Sequence, residues 1–327
     1  MAYTLAQVDN LTTDLFIKGV ALDVVRENPI LSMLPFMTAQ GKQVTYNRQS
    51  TTGSQAAWKT ATFTQIGGAV PESTPSTGQV STTLAQLVDS AKVARFAISV
   101  KGDINPILQF NNGLKISALF ETFQDALFYG DNAANSNEFS GLHKLVDNTL
   151  DTDLDITEAA SALNIVNLLQ MADAVRSPSL YLSNRRIAAR MSQAQWLGGT
   201  VGTATVQNIS TSFGARIKDF GGTPWLVSDY LTMTETDADP PVESGSSNAS
   251  VFAIKLDAYP TMGGDGVLYS QGPTIIQSPE GPFILDPMPI PGESSVAIQY
   301  YWFVALIVPS RRTVGRLRGI TAAAIAA

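Results

Sequence analysis

The sequence predicts an α+β fold organised around one long helix. An N-terminal arm and a long extended β-hairpin precede the helix, and an α/β unit is inserted into a framework built from the flanking parts. Three stretches carry this reading. Residues 105–131, NPILQFNNGLKISALFETFQDALFYGD, have Asn105 as a helix cap and Pro106 at the first helical position, where a missing N–H costs nothing. Ile116, Phe120, Phe123 and Leu127 then lay an apolar stripe along one face, and Gly130-Asp131 supplies the stop. At about 1.5 Å per residue this helix would be roughly 35–40 Å long. Second, between Gln49 and Leu87 the only charged residues are Lys59 and Glu72. Third, a helix–strand–helix order follows from Asp155 to Trp196.

In chain order, residues 1–40 predict a helix over Leu11–Glu27 ended by Asn28-Pro29, with a further turn at Leu34-Pro35, together an arm that packs along something else. Gln43–Asn47 and Lys92–Lys101 alternate like strands and bracket the uncharged stretch as a hairpin with a broad tip. Structureless loops beyond about 12–15 residues are uncommon unless functional or disordered. A hairpin with so little charge has unprotected strand edges and needs a partner surface. Inside the long helix, Asn111-Asn112-Gly113 are poor helix formers and predict a kink.

Beyond the helix, the loop 132–146 holds Phe139-Ser140-Gly141-Leu142. Asp155 with Glu158 reads as a capping pair for a second helix that buries Ile165, Leu168, Leu169, Ala172 and Val175 and ends at Ser177-Pro178. Ser179–Ser183 reads as a strand, and Asn184 opens a third helix towards Trp196. Leu197–Thr205 reads as an uncharged loop, either at a subunit contact or simply mobile. Ile217 and Trp225–Val227 mark strands around the turn at Gly221-Gly222-Thr223-Pro224. Thr234–Ser250, with Glu235, Asp237, Asp239 and Glu243, predicts an exposed acidic loop. Val251–Leu256 resumes a strand, Val296–Val308 reads as a strand buried on both faces, and Thr313–Ile320 ends the pattern.

Composition narrows the chemistry. The chain of 327 residues can bury a large core without disulfides, yet its charged content is only 15%, which suggests that much of the surface is covered by other subunits. A net charge of −7 and the lack of a basic run argue against nucleic-acid reading. Having no cysteine and one histidine leaves little scope for thiolate chemistry, histidine metal sites or triads. The N-terminus lacks a signal-peptide pattern, and the longest apolar run, Tyr300–Val308, is shorter than the about 20 residues a membrane helix needs.

Candidate sites are few. Asp151, Asp153 and Asp155 alternate like a calcium loop, but Ile156 and Ala162 stand where a glycine and an acid are required, so they read as solvated acids before a helix. Gly263-Gly264-Asp265-Gly266 lacks a following Lys-Ser or Lys-Thr and reads as a hairpin turn. His143 has no nucleophile motif beside it and reads as a surface or subunit-contact residue. Arg311, Arg312, Arg316 and Arg318 form a basic cluster suited to intramolecular or intersubunit pairing with carboxylates. A carbohydrate-directed hydrolase using Glu235 with Asp257 is a distant alternative, because both lie in exposed, loop-like sequence.

The order of these parts resembles the major capsid protein of tailed bacteriophages, the Hong Kong phage type of capsid fold that is shared with encapsulin shells. Phe128-Tyr129-Gly130-Asp131 and Phe139-Ser140-Gly141-Leu142 are similar to the family's segments after its spine helix. Leu180-Tyr181-Leu182-Ser183-Asn184, Gly222-Thr223-Pro224-Trp225 and Arg316-Leu317-Arg318-Gly319-Ile320 are similar to later ones. The resemblance implies an arm at 1–41, an extended hairpin at 42–101, a spine helix with a peripheral β-sheet at 102–150, an α/β axial domain at about 151–256 and a return through 257–327. It further implies a structural subunit, not an enzyme, with no cofactor and no metal. Such a subunit would assemble through hexamers and pentamers into an icosahedral shell enclosing packaged DNA, located in the virion capsid and assembled in the host cytoplasm. An encapsulin-like nanocompartment shell is the alternative. Trp58, Lys59, Glu72, Arg311, Arg312, Arg316 and Arg318 are the candidate intersubunit contacts. Partners would be further copies of the chain, a portal, decoration proteins and double-stranded DNA touched weakly and without sequence preference, but no membrane. Little sequence precedes the hairpin, so a separate scaffolding protein or none is implied. No Asn and Glu partner marks Lys42 or Lys59 for a crosslink.

Overall fold

The computed structural model describes residues 26–49, 63–69, 77–94, 104–148, 151–196, 206–210, 216–256, 261–262, 268–269, 272–289, 295–323 and 325. The expected helix over Leu11–Glu27, the loop Leu197–Thr205 and the turn Gly263–Gly266 fall wholly or almost wholly outside them. Two sheets dominate. One has five strands: β1 (Phe36–Thr38), β13 (Thr274–Gln277), β15 (Ser295–Ile307) and β14 (Phe283–Pro289) in that order, with β4 (Ala85–Ala94) also on β15. The other has seven: β5 (Asp155–Ser161), β16 (Val314–Thr321), β10 (Asn248–Ile254), β6 (Leu180–Ser183), β9 (Thr223–Val227), β8 (Arg216–Phe220) and β7 (Val206–Ser210).

The long helix, α1, spans Ile104–Tyr129 and passes through 111–113 without a break. Its apolar stripe lies on the five-stranded sheet: Phe123 packs at a tilt against Trp302 with ring centroids 4.4 Å apart, and Phe120 lies 5.6 Å from the same indole. This face follows from the 3.6-residue period, because Leu119, Phe123, Ala126 and Leu127 are all buried. β15 is the central strand. It is buried on both faces from Val304 to Ile307, whereas Tyr301 and Phe303 are half-buried and Gln299 is exposed, so the expectation of two buried faces holds for its last four residues.

The seven-stranded sheet is shared between two cores, and the two-residue period of its strands decides which residue serves which. Leu180, Leu182, Phe252, Ile254 and Val314 join the core under α1. Tyr181, Val251, Ala253 and Leu317 point the other way, into a second core with α3 (Ile165–Val175) and α4 (Arg185–Trp196). Gly315 lets α3 lie close, since a Cβ there would sit 2.8 Å from atoms of Met171 and Val175. The tight turn at Gly221 and Gly222, at φ of 59° and 81°, closes β8 on β9 as expected.

Three local expectations change. The hairpin exists, but β2 (Gln43–Gln49) returns through β3 (Thr77–Thr83), with Val44 opposite Thr82 and Tyr46 opposite Val80. Lys92 lies on β4, which pairs with β15 over ten residues. Thr-rich sequence reads as loop by polarity, yet Thr and Val suit a pleated surface. Next, Asp155 opens a strand rather than a helix. Asn164 caps α3, its side chain accepting from the Val166 N–H at 2.9 Å. Glu158 still reaches that helix end from the strand, accepting from the Asn164 N–H and the Asn167 amide at 3.2 Å each. Finally, Leu169 is 52% exposed, and Met171 and Ala174 fill the buried face of α3 instead.

Candidate functional site

The last turn of α1 ends against a reversed chain. Gly130 donates to the Ala126 carbonyl at 2.9 Å, and Gly141 donates to the Gly130 carbonyl at 2.8 Å. A Cβ on Gly141 would lie 2.6 Å from the Ala126 oxygen and 2.7 Å from the Phe128 oxygen. Only glycine permits this crossing, which explains both glycines of the aromatic-glycine segments. The crossing delivers Tyr129 and, from the short α2 (Leu142–Leu145), His143 to one place.

His143 is buried there, 2% exposed, which corrects its reading as a surface residue. Its ring stacks on Tyr129 and meets the edge of Phe252, each with centroids 4.9 Å apart. Its Nε2 lies 3.3 Å from Glu235 Oε1, and neither ring nitrogen is aligned for a hydrogen bond. Burial holds the imidazole below its ordinary proton affinity against the pull of Glu235.

Glu235 is fully buried and so departs from the expected exposed loop, whereas Asp239 and Glu243 of the same stretch are exposed as expected. Tyr129 donates to Oε1 at 2.6 Å and Ser250 to Oε2 at 2.5 Å, while the backbone of Glu235 donates to the Asn248 carbonyl at 3.0 Å. Burial, and then the neighbouring carboxylate, raise the Tyr129 phenol well above its usual value and keep it a donor. The Thr232 N–H donates to the phenol oxygen at 3.1 Å. A buried carboxylate needs such partners on both oxygens.

Beside this knot the arginines of β16 find carboxylates within the same chain. Arg316, with its side chain 1% exposed, donates from Nε to Asp155 Oδ1 at 2.9 Å and from Nη1 to the His143 carbonyl at 2.7 Å. Its Nη2 bonds Asp239. Arg318 Nε lies 3.4 Å from Asp155 Oδ1, and its Nη1 bonds the Asp237 carbonyl. Thr157 donates to Asp237 Oδ1 at 2.6 Å. Arg311 pairs with Asp147 at 3.0 Å and Arg312 with Asp151 at 2.9 Å. Of the two pairings open to the cluster, the intramolecular one is therefore present for all four arginines. The acids are placed accordingly: Asp155 is a buried partner at 3% side-chain exposure and not a solvated acid, Asp151 is an arginine partner, and only Asp153 remains solvated.

Together these contacts make a joint. The acidic loop, the end of α1, α2, β5, β10 and β16 meet in it, at the border of the two cores. Sequence reasoning missed Tyr129, His143, Glu235 and Asp239 as a set because they are remote in the chain. The one available signal was the spacing of Arg316 and Arg318, which puts both on the same face of a strand that is otherwise apolar.

The hairpin contrasts with this. Trp58, Lys59 and Glu72 lie outside the described residues, but the described part of the tip, 63–69, exposes Phe63 and Ile66 fully.

A long hairpin, a helix lying on one sheet and a second α/β sheet domain together define the shell-protein fold of tailed phages and encapsulins. The resemblance read from the sequence is borne out: a family model described as Major capsid protein GP7 matches residues 17–167, the stretch holding the hairpin, the long helix and its glycine crossing. The encapsulin of the holo-SrpI complex from Synechococcus elongatus PCC 7942 is similar over 100% of this chain and 99% of that one, at 13% identity and a TM-score of 0.65. The capsid of a native GTA particle matches over 97% of both chains at 14% identity and a TM-score of 0.57. Mycobacterium phage Bobi matches over 97% and 98% at 12% identity and a TM-score of 0.55. At these identities the likeness is one of fold. No curated protein matches the chain in sequence.

Proposed function

We propose that the chain is the major structural subunit of a tailed-phage capsid, assembling through hexamers and pentamers into an icosahedral shell around packaged DNA. The observation that carries this reading is likeness of fold from end to end with shell subunits, joined to a family-model match over the arm, hairpin and helix. The physics of the hairpin supports it. Phe63 and Ile66 protrude without cover from their own subunit, and apolar side chains so placed mark a contact with another molecule. Trp58, Lys59 and Glu72 are proposed to share that contact with a neighbouring copy. The arginines are already paired within the subunit, so any contact with DNA is weak and sequence-independent. The subunit is read as non-enzymatic and located in the virion, with portal, scaffolding and decoration proteins as further partners.

An encapsulin-like compartment is the second reading, favoured by the encapsulin match at a TM-score of 0.65. Electron microscopy of the purified chain, with mass from light scattering, tests the shell. Closed icosahedral particles, or rings of five and six, are expected. A monomer that stays monomeric at high concentration and with a co-expressed scaffold would overturn it. Nucleic acid inside particles from infected cells supports the phage reading, and a protein cargo the encapsulin one.

A further inference from the structure

We propose that the joint between the two cores is an acid-sensitive latch, in which a proton gained by His143 releases the 232–248 loop from the end of the long helix. The inference does not depend on the shell reading. It rests on how completely the joint is committed to a neutral imidazole. Both oxygens of Glu235 already accept, Oε1 from Tyr129 and Oε2 from Ser250. The carbonyl of His143 itself is taken by Arg316. An imidazolium would carry an N–H at both nitrogens, and neither has an aligned acceptor among the described residues, Glu235 Oε1 lying 3.3 Å from Nε2. It would also place a second cation next to the Arg316 guanidinium, in a site closed to water.

The groups around the ring come from every element packed on it: Tyr129 from α1, Glu235 from the loop, Phe252 from β10, Arg316 from β16 and Asp155 from β5, with Thr232, Ser250 and Asp239 one step further out as partners of Tyr129, Glu235 and Arg316. The carboxylates attract a proton to the ring, but burial outweighs them. If the loop lifts, the ring meets water and regains an ordinary affinity near about 6.5. Acid therefore favours the open joint by linkage. Isolated carboxylates titrate near about 4, below this window. Asp125 on α1 and Glu138 beyond it are exceptions: burial raises the affinity of both, and Glu243 on the loop adds to it at Asp125, whose protonation therefore tightens the same contact and opposes the latch. His143 is the single histidine of the chain, which makes its contribution separable.

The test is hydrogen–deuterium exchange of the full-length protein between about pH 5 and about pH 7.5, a span that brackets the ordinary histidine value. Exchange is corrected for its intrinsic pH dependence and read by mass spectrometry at residues 232–248 and at the backbone of 126–145. Exchange of the imidazole C2–H in the same samples reports the ionisation of His143. Opening is expected to grow by up to about tenfold per pH unit below about 6.5, in step with His143 ionisation, and to lose that dependence in His143→Phe. The same pH dependence in His143→Phe would overturn the proposal, as would ionisation of His143 without opening or a joint that stays closed throughout. If His143→Phe does not fold, the coincidence of imidazole ionisation and loop opening in the unaltered protein decides alone.

Discussion

The extended hairpin and the arginine–carboxylate joint use their polar and apolar groups in opposite ways. In the joint, every guanidinium of β16 meets a carboxylate of its own chain, and the buried Glu235 is satisfied on both oxygens. In the described hairpin tip, Phe63 and Ile66 have no cover at all. One region is complete in a single subunit, and the other is proposed to be completed by a neighbour. The difference teaches where this chain stores its own stability and where, on the proposed reading, it meets a neighbour: charge turned inward holds the two cores together, and apolar surface turned outward is suited to a contact with another molecule.

Removing the centre of the joint has the largest expected effect. Arg316→Ala leaves the buried Asp155 with only the longer contact from Arg318 and is expected to cost about 3–5 kcal/mol in denaturant unfolding. A loss under about 1 kcal/mol, as for a surface pair, would show that the joint is not complete in one subunit. Gly141→Ala follows at about 3 kcal/mol, because the new methyl collides with the helix-end carbonyls. Glu235→Leu removes the acceptor of both Tyr129 and Ser250 and is expected to cost about 1–3 kcal/mol. Double mutation with Tyr129→Phe should then cost less than the sum, since the two groups are coupled.

The pH dependence is smaller and has a definite sign. The affinity of His143 is lowered in the folded state, so its contribution is fully present above about 6.5 and is lost as pH falls from there towards the folded value. The slope is at most about 1.4 kcal/mol per pH unit. His143→Phe should flatten that part of the stability curve, measured by urea titration at a series of pH values.

Much of the fold was legible because it rests on local periodicity. The stripe from Ile116 to Leu127 and the glycine stop define the long helix, and Leu180–Ser183 followed by Asn184 defines a strand-to-helix step. What failed needed the third dimension. Asp155 looks like a helix cap in sequence, but its parallel pairing with Arg316 makes it a strand residue. Asp237 and Asp239 read only as solvated because composition does not reveal that Arg318 and Arg316 lie opposite them. His143 was misread for the same reason: two of its neighbours, Glu235 and Phe252, are about a hundred positions away. The hairpin was legible as a hairpin from its missing charges, while its return strand was displaced because Thr and Ser disguise strand as loop.

The smallest expected effect on folding belongs to the tip, and it decides the comparison. Phe63→Ser combined with Ile66→Ser should leave the unfolding free energy of the isolated subunit within about 0.5 kcal/mol, since neither side chain is buried. Electron microscopy of the same variant then tests the account most directly. Folded subunits that form no closed particles, under conditions where the unaltered protein closes, are the predicted result. Closed particles at the unaltered yield would contradict it, because the apolar tip would then have no neighbour to meet.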